Sequence, residues 1–231
     1  MAGVDNQWPI STWHHPRGGR GRRPRTDRER VLDSIGMGGD AAEDTRQSLY
    51  DEYLAVPSHR RAEIINGTLY VMPRPSPKHA NAATVLGGAL SGPLQFGDGG
   101  PGGWWILFEP ELHLVPFEPL SPDLAGWRVA RLPELPELAY FTLAPDWVCE
   151  VLSPSTTRMD REEKLPIYAD AGVGHVWLVD PIERSLEVYT LGPTKRWRQV
   201  RMHGADERVR AAPFEEVELD LARLWSKPVT R

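Results

Sequence analysis

Cysteine is nearly absent from this chain. The single Cys149 excludes an intrachain disulfide, and no Cys-x-x-Cys or paired Cys/His spacing offers a structural zinc site. Long apolar runs are absent as well: none approaches the roughly 20 residues a membrane-spanning helix requires. The first residues lack the apolar core of a secretory signal, so a reducing cytoplasm is the expected setting. Net positive charge is also missing. The chain of 231 residues carries −5. Residues 1–36 hold seven arginines against four acids, +3, which leaves −8 on the remainder. An acidic body argues against tight non-specific binding of nucleic acid by bulk charge. It leaves room for a metal-dependent site, whose ligands are themselves acidic. With 40% hydrophobic and 26% charged residues the composition is that of a globular domain plus a tail.

Residues 1–44 show no apolar periodicity. "RGGRGRRPRTDRER" (17–30) reads as a disordered Arg/Gly-rich tail. A solvated tail is the preferred reading, with a phosphate-binding arm and translation from Met37 as the alternatives. The folded domain is expected over 45–226, with 227–231 as a C-terminal tail. Leu49, Tyr53 and Leu54 suit one face of a short helix. In "AEIINGTLYVM" the pair Asn66-Gly67 divides two β-prone runs, which predicts a type I′ hairpin. A helix follows from Ser76 or Pro77 to about Leu90. "WWILFEPELHLV" reads as one or two strands, and a further strand begins at Asp123. The apolar runs 146–152 and 175–180 flank a helix from about Arg158 to Ala171, with Thr157 and Asp160 as a capping-box-like pair. Pro166 inside it predicts a kink or a late start. This is a strand–helix–strand unit with parallel pairing. "SLEVYTL" and "WRQVRM" alternate like an exposed antiparallel hairpin, whose edges could support a homodimer. The class is mixed α/β, a central sheet flanked by helices.

Glu150 lies inside an apolar run, where an unpaired carboxylate costs several kcal/mol. Asp123 opens the strand after Pro122, Glu63 precedes the hairpin strand "IINGTLYVM", and Glu109 and Glu111 flank Pro110. Adjacent strands that each offer an acid make an oxygen-rich pocket of the kind Mg²⁺ or Mn²⁺ prefers. Lys164, one or two helical turns beyond the Glu150 strand, could orient a water or neutralise developing charge.

"EIINGTLYVMPRPSPKH", "SPDLAGW" and "VCEVLSPSTTRMDREEKLPIYADAGVGHVWLVDP" resemble the Uma family of endonucleases, in the restriction-endonuclease-like PD-(D/E)XK superfamily. The resemblance covers about residues 46–225. It implies a restriction-endonuclease-like core and metal-dependent cleavage of phosphodiester bonds in nucleic acid, with DNA the expected substrate and Mg²⁺ or Mn²⁺ the cofactor. Position by position, Asp123 matches the acid of the Pro-Asp motif and Glu150 the second acid. Glu63 is similar to the acid ahead of the first core strand, and Lys164 to the family's helix-borne lysine. The superfamily lysine two residues past the second acid is missing, since Leu152 stands there.

Plainer readings compete. Glu150 could pair with Arg128 or Arg158. Asp160 could cap the helix and pair with Lys164 at i,i+4, the preferred reading, or hold Lys164 over the metal. His79 could touch a phosphate or the metal-bound water but reads first as a surface histidine, and Trp127 and Trp197 read as surface contacts. Ser153 and Ser155 have no visible base partner. Two non-enzymatic functions also remain: a nuclease-fold module that binds nucleic acid without cutting it, and an interaction protein with a structural acid cluster.

Overall fold

A computed structural model describes residues 41–227, so the expected Arg/Gly-rich segment 1–40 and residues 228–231 lie outside the described part. The first described element is helix α1 (Ala41–Ala55). Tyr50 is buried and Tyr53 half-buried, whereas Leu54, assigned to the packed face, is half exposed.

The first hairpin forms as read. Strands β1 (Arg61–Ile65) and β2 (Thr68–Met72) pair antiparallel around Asn66 and Gly67, with φ of 50° and 71°. Two consecutive left-handed residues are what a type I′ turn demands, and Asn-Gly meets that at little cost. Helix α2 (Pro77–Ser91) starts on Ser76, whose Oγ accepts from the His79 amide at 3.3 Å, and runs into a π-helical turn Gly92–Phe96.

The central sheet is built from β3 (Trp104–Phe108), β6 (Leu124–Arg128), β7 (Trp147–Val151), β8 (His175–Asp180), β9 (Ser185–Leu191) and β10 (Trp197–Gly204). Between β3 and β6 lies the small antiparallel pair β4 (Leu112–Val115) and β5 (Glu118–Leu120). The sheet order is β10-β9-β8-β7-β6-β3, and only β7 and β8 run parallel. The crossover between them is α3 (157–171), made of α-helical Thr157–Met159, a π-helical turn Asp160–Lys164 and α-helical Leu165–Ala171. The π turn sits directly before Pro166, so the residue that cannot donate falls in the first turn of the last α-helical piece, where its missing N–H costs least. A short pair β11 (Arg208–Val209) and β12 (Leu219–Asp220) and helix α4 (Ala222–Trp225) close the described chain.

The period-two geometry of strands sorts the sheet's two faces. Cys149 and Val151 of β7 look toward α2 and join Trp104, Trp147, Trp177 and Phe214 in one buried cluster. The Phe214 ring meets the three indoles edge-on, at centroid distances of 4.9, 5.0 and 5.5 Å. Val148 and Leu152 look the other way. They pack with Ala125 and Trp127 of β6, Ile65 of β1, and Met159, Leu165 and Tyr168 of α3. Positions 123, 125 and 127, and 148, 150 and 152, therefore share the α3 face. Strand β9, expected as half of an exposed hairpin, is buried over its first four residues because it is an interior strand.

Two tryptophans assigned to the surface are not there. Trp127 is fully buried, stacks on Phe141 with centroids 4.4 Å apart, and donates Nε1–H to the Leu143 carbonyl at 2.9 Å. Trp197 is half-buried and donates to the Leu165 carbonyl at 2.7 Å, which ties β10 to α3. Beside Trp127, Arg128 lies over the Trp104 ring instead, and both indoles supply apolar area that the fold uses.

Candidate active site

Glu63, Asp123, Glu150 and Lys164 come together. Register explains the first contact: Leu124 is paired with Cys149, so Asp123 and Glu150 come opposite each other one step further, on the same face. Asp123 Oδ2 accepts the Val151 amide at 2.7 Å, which fixes the carboxylate at the end of the β6–β7 ladder. Glu63, inside β1, accepts the Ser121 amide at 3.2 Å. Lys164 reaches down from α3. Its Nζ lies 2.9 Å from Glu63 Oε2, 3.3 Å from Glu150 Oε1 and 3.6 Å from Asp160 Oδ1. All five side chains are buried, with Glu63 at 0% and Lys164 at 2% exposure. They line one cavity of about 250 Å³ whose mouth is formed by Arg74, Pro75, Ser76 and the loop 153–156.

Three further residues belong to the cluster: Arg61 and Tyr168, which the sequence did not single out, and His79, for which the surface was preferred. Arg61 donates Nη1–H to Asp123 Oδ1 at 2.9 Å, lies against Glu63 and Glu109 at 3.2 and 3.3 Å, and also donates to the Ser121 carbonyl. It stands two residues before Glu63, so the strand period puts both on one face. Tyr168 donates its hydroxyl to Glu150 Oε1 at 2.6 Å, one helical turn after Lys164. His79 is buried, not on the surface: as the third residue of α2 it sits over the cavity with Nε2 3.2 Å from Asp123 Oδ2.

The alternatives for Glu150 and Asp160 resolve on this geometry. Arg158 pairs with exposed Glu162 at 2.8 Å and Arg128 lies over the Trp104 ring, so neither reaches Glu150. Its partners are Lys164 and Tyr168. Asp160 does not cap the helix. The N-cap Thr156 makes no side-chain cap bond, and Thr157 Oγ1 donates back to the Ser153 carbonyl at 2.7 Å. Asp160 is buried with its Oδ1 3.6 Å from Lys164 Nζ, so the i,i+4 pair forms without the cap.

Electrostatics follow from burial and from these partners. Burial alone would oppose ionising Asp123, yet His79, Arg61 and the Val151 amide together hold its carboxyl below the usual carboxylate range. Glu150 goes the other way: burial pushes it up to about 8, against the pull of Lys164 and helped by Asp160, Asp123 and Glu63. Burial likewise raises Asp160. For Lys164 burial disfavours the charge, but Glu150, Glu63 and Asp160 more than offset it and hold the ammonium well above its ordinary range. Two neighbouring carboxyls pushed in opposite directions, in one cavity, are a frequent mark of a reactive site.

Carboxylate oxygens facing one cavity are the donor type that Mg²⁺ or Mn²⁺ takes, so the residues fit such a cation in kind. As placed, the acids are held by cationic side chains: Asp123 by Arg61, and Glu63 and Glu150 by Lys164. Among the described residues no group of three His, Cys, Asp or Glu side chains stands at metal-binding spacing. No described helix is long and apolar enough to cross a membrane.

Comparison with known proteins agrees with the architecture. Among solved structures, the chain is similar to one described as "a putative nuclease belonging to DUF820" from Anabaena variabilis, with a TM-score of 0.59 and 21% identity over 76% of this chain and 96% of that one. At that identity the likeness speaks to the fold, a nuclease-like mixed sheet flanked by helices. No curated protein matches the sequence. The model of the Uma2 family, described as "Putative restriction endonuclease", matches residues 50–222, which takes in every residue of the cluster, and the chain therefore belongs to the Uma2 family.

Proposed function

We propose that this protein is a divalent-metal-dependent endonuclease that hydrolyses phosphodiester bonds of nucleic acid, with DNA as the expected substrate. The observation that carries the proposal is the convergence of Glu63, Asp123, Glu150 and Lys164, from β1, the start of β6, β7 and α3, at one buried cavity. Family membership and the nuclease-like fold support it.

Asp123 and Glu150, with Glu63 beside them, are the residues that would hold Mg²⁺ or Mn²⁺. The cation would polarise the phosphodiester and make a bound water more acidic. Asp123, held ionised by Arg61, His79 and the Val151 amide, would offer the cation a charged oxygen. Lys164 acts as a fixed positive charge, not as a base, because its acid neighbours keep it protonated. It is placed to offset negative charge that grows on the phosphoryl oxygens. Tyr168 and Lys164 together aim the Glu150 carboxyl. Arg61, beside Glu109 at the edge of the cavity, would be placed to meet a phosphate with its guanidinium.

The test is an assay of purified protein on single- and double-stranded DNA and RNA with Mg²⁺ or Mn²⁺, beside Asp123→Asn and Lys164→Ala. Cleavage should require the metal, and each substitution should lower it by about 10²-fold or more. Activity that persists in both variants removes the site. The saturation of the acids by Arg61 and Lys164 favours a second reading, a nuclease fold that binds nucleic acid without cutting it. Titration calorimetry with Mn²⁺ separates the two: heat that vanishes in Asp123→Asn supports the enzyme, and no heat in the wild type supports the silent module.

A further inference from the structure

A second, larger cavity adjoins the acid cluster. It is a groove of about 790 Å³, and Arg61 and the stretch Met72–Pro75 form the wall it shares with the acid cavity. Its lining is mixed. His59, Arg60 and Arg74 are exposed, and Arg60 and Arg74 make no ion pair among the described residues. The same lining holds Tyr53, Met72 and Pro73, and the acids Glu109 and Glu111. Arg60, Arg61 and Arg74 against these two acids leave the groove a small positive excess, on a body that carries −8 outside its first 36 residues. That excess adjoins the acid cavity through Arg61 and Arg74, which line both.

We infer that this groove holds the phosphates of an unpaired nucleic-acid strand, on the flank of the bond presented to the acid cavity. The ligand class follows from the alternation of charge and apolar surface. A duplex keeps its bases stacked inside and offers a binding protein mainly phosphates, which call for cations alone. A single strand exposes base faces as well, and its binding grooves combine cations along the backbone with apolar or aromatic platforms. Arg61 joins the two compartments, since it touches Asp123 and Glu109 at once. Pro73 and Pro75 bracket Arg74 and restrict its backbone, which holds the guanidinium at the shared wall at a reduced entropic cost.

The inference rests on the nuclease reading for the role of the inner cavity, but its test is a binding measurement that does not require cleavage. Full-length protein carrying Asp123→Asn is titrated, by fluorescence anisotropy at several NaCl concentrations, with labelled DNA and RNA strands of about 16 nucleotides and with the matching duplex. The single strands should bind more tightly than the duplex. Arg60→Glu and Arg74→Glu should each weaken strand binding about tenfold, and each should reduce the salt slope by about 0.7, the value for one lost single-strand phosphate contact. Arg201→Glu is the control: it makes the same charge change on exposed β10, outside both cavities, and should change affinity by less than about twofold. Tighter binding of the duplex overturns the assignment. So does a wild-type affinity that Arg60→Glu and Arg74→Glu leave unchanged, or a loss in Arg201→Glu as large as theirs. Groove-dependent binding without metal-dependent cleavage would leave the groove standing and remove the enzyme. Cleavage that depends on Asp123 but ignores Arg60 and Arg74 would do the reverse.

Discussion

At the scale of the residue, Lys164 decides most of the energetics. It is a buried ammonium among three carboxyls, and removal of one partner from such a group leaves the others without compensation, at about 3–5 kcal/mol. Lys164→Met should therefore lower the unfolding free energy by about that amount in urea titrations. The loss should be smaller at low pH, because Glu150 can take up a proton. Glu150 itself gives a signed pH dependence. Its folded value, about 8, lies above the ordinary 4.5. An acid raised on folding favours the native state fully below its unfolded value and loses that contribution as pH rises through the folded one. In the presence of a chelator the melting temperature should thus fall between about pH 5 and pH 8, and Glu150→Gln should flatten that fall. Asp123, shifted down, acts in the opposite direction and contributes stability that disappears only in acid. Tyr168→Phe removes the 2.6 Å bond to Glu150; it should cost about 1–3 kcal/mol by the same urea titration and push the Glu150 transition to higher pH, because ionised Glu150 loses a donor.

At the scale of the element, the strand–helix–strand unit 147–180 was legible because its two strands are near-continuous apolar runs, the pattern of strands covered on both faces. The first hairpin was legible because Asn-Gly answers a specific backbone requirement. Glu63, Asp123, Glu150 and Lys164 could be named because their spacing matched a family pattern; no periodicity would have joined Glu63 to Lys164. Arg61 and His79 were not legible. A lone arginine at a strand end and a histidine in a first helical turn are each common on surfaces, and only the folded chain shows that both aim at Asp123. The π turn was hidden for another reason. "DREEK" has no apolar rhythm, and one extra residue per turn changes hydrogen-bond register without changing composition. On the opposite face of the sheet, Trp177 sits fully buried between Trp147 and Phe214 with its Nε1–H donated to the Ala212 carbonyl at 2.7 Å. Trp177→Ala should cost about 3–5 kcal/mol in the unfolding free energy, while the acid cavity across the sheet keeps its pattern of contacts.

At the scale of the whole molecule, both edges of the sheet are managed. Strand β3 hands its outward Ile106 amide to Gln95 Oε1 at 3.1 Å, so the π turn after α2 covers that edge. Strand β10 is open but carries exposed Arg198 and Arg201 and a register shift between Gln199 and Arg201. Charge and a bulge on an edge strand discourage edge-to-edge pairing. The homodimer that the 184–201 hairpin suggested gains no support from such an edge, and light scattering should return the single-chain mass of 26.0 kDa. A mass twice as large would show that another surface pairs.

Glu63 and Lys164 stand 101 positions apart and still touch. A nascent polypeptide emerging from the ribosome, or a proteolytic remnant that lacks either end of that interval, carries no assembled acid cluster. On the nuclease proposal, competence to cut arrives only with that last long-range contact.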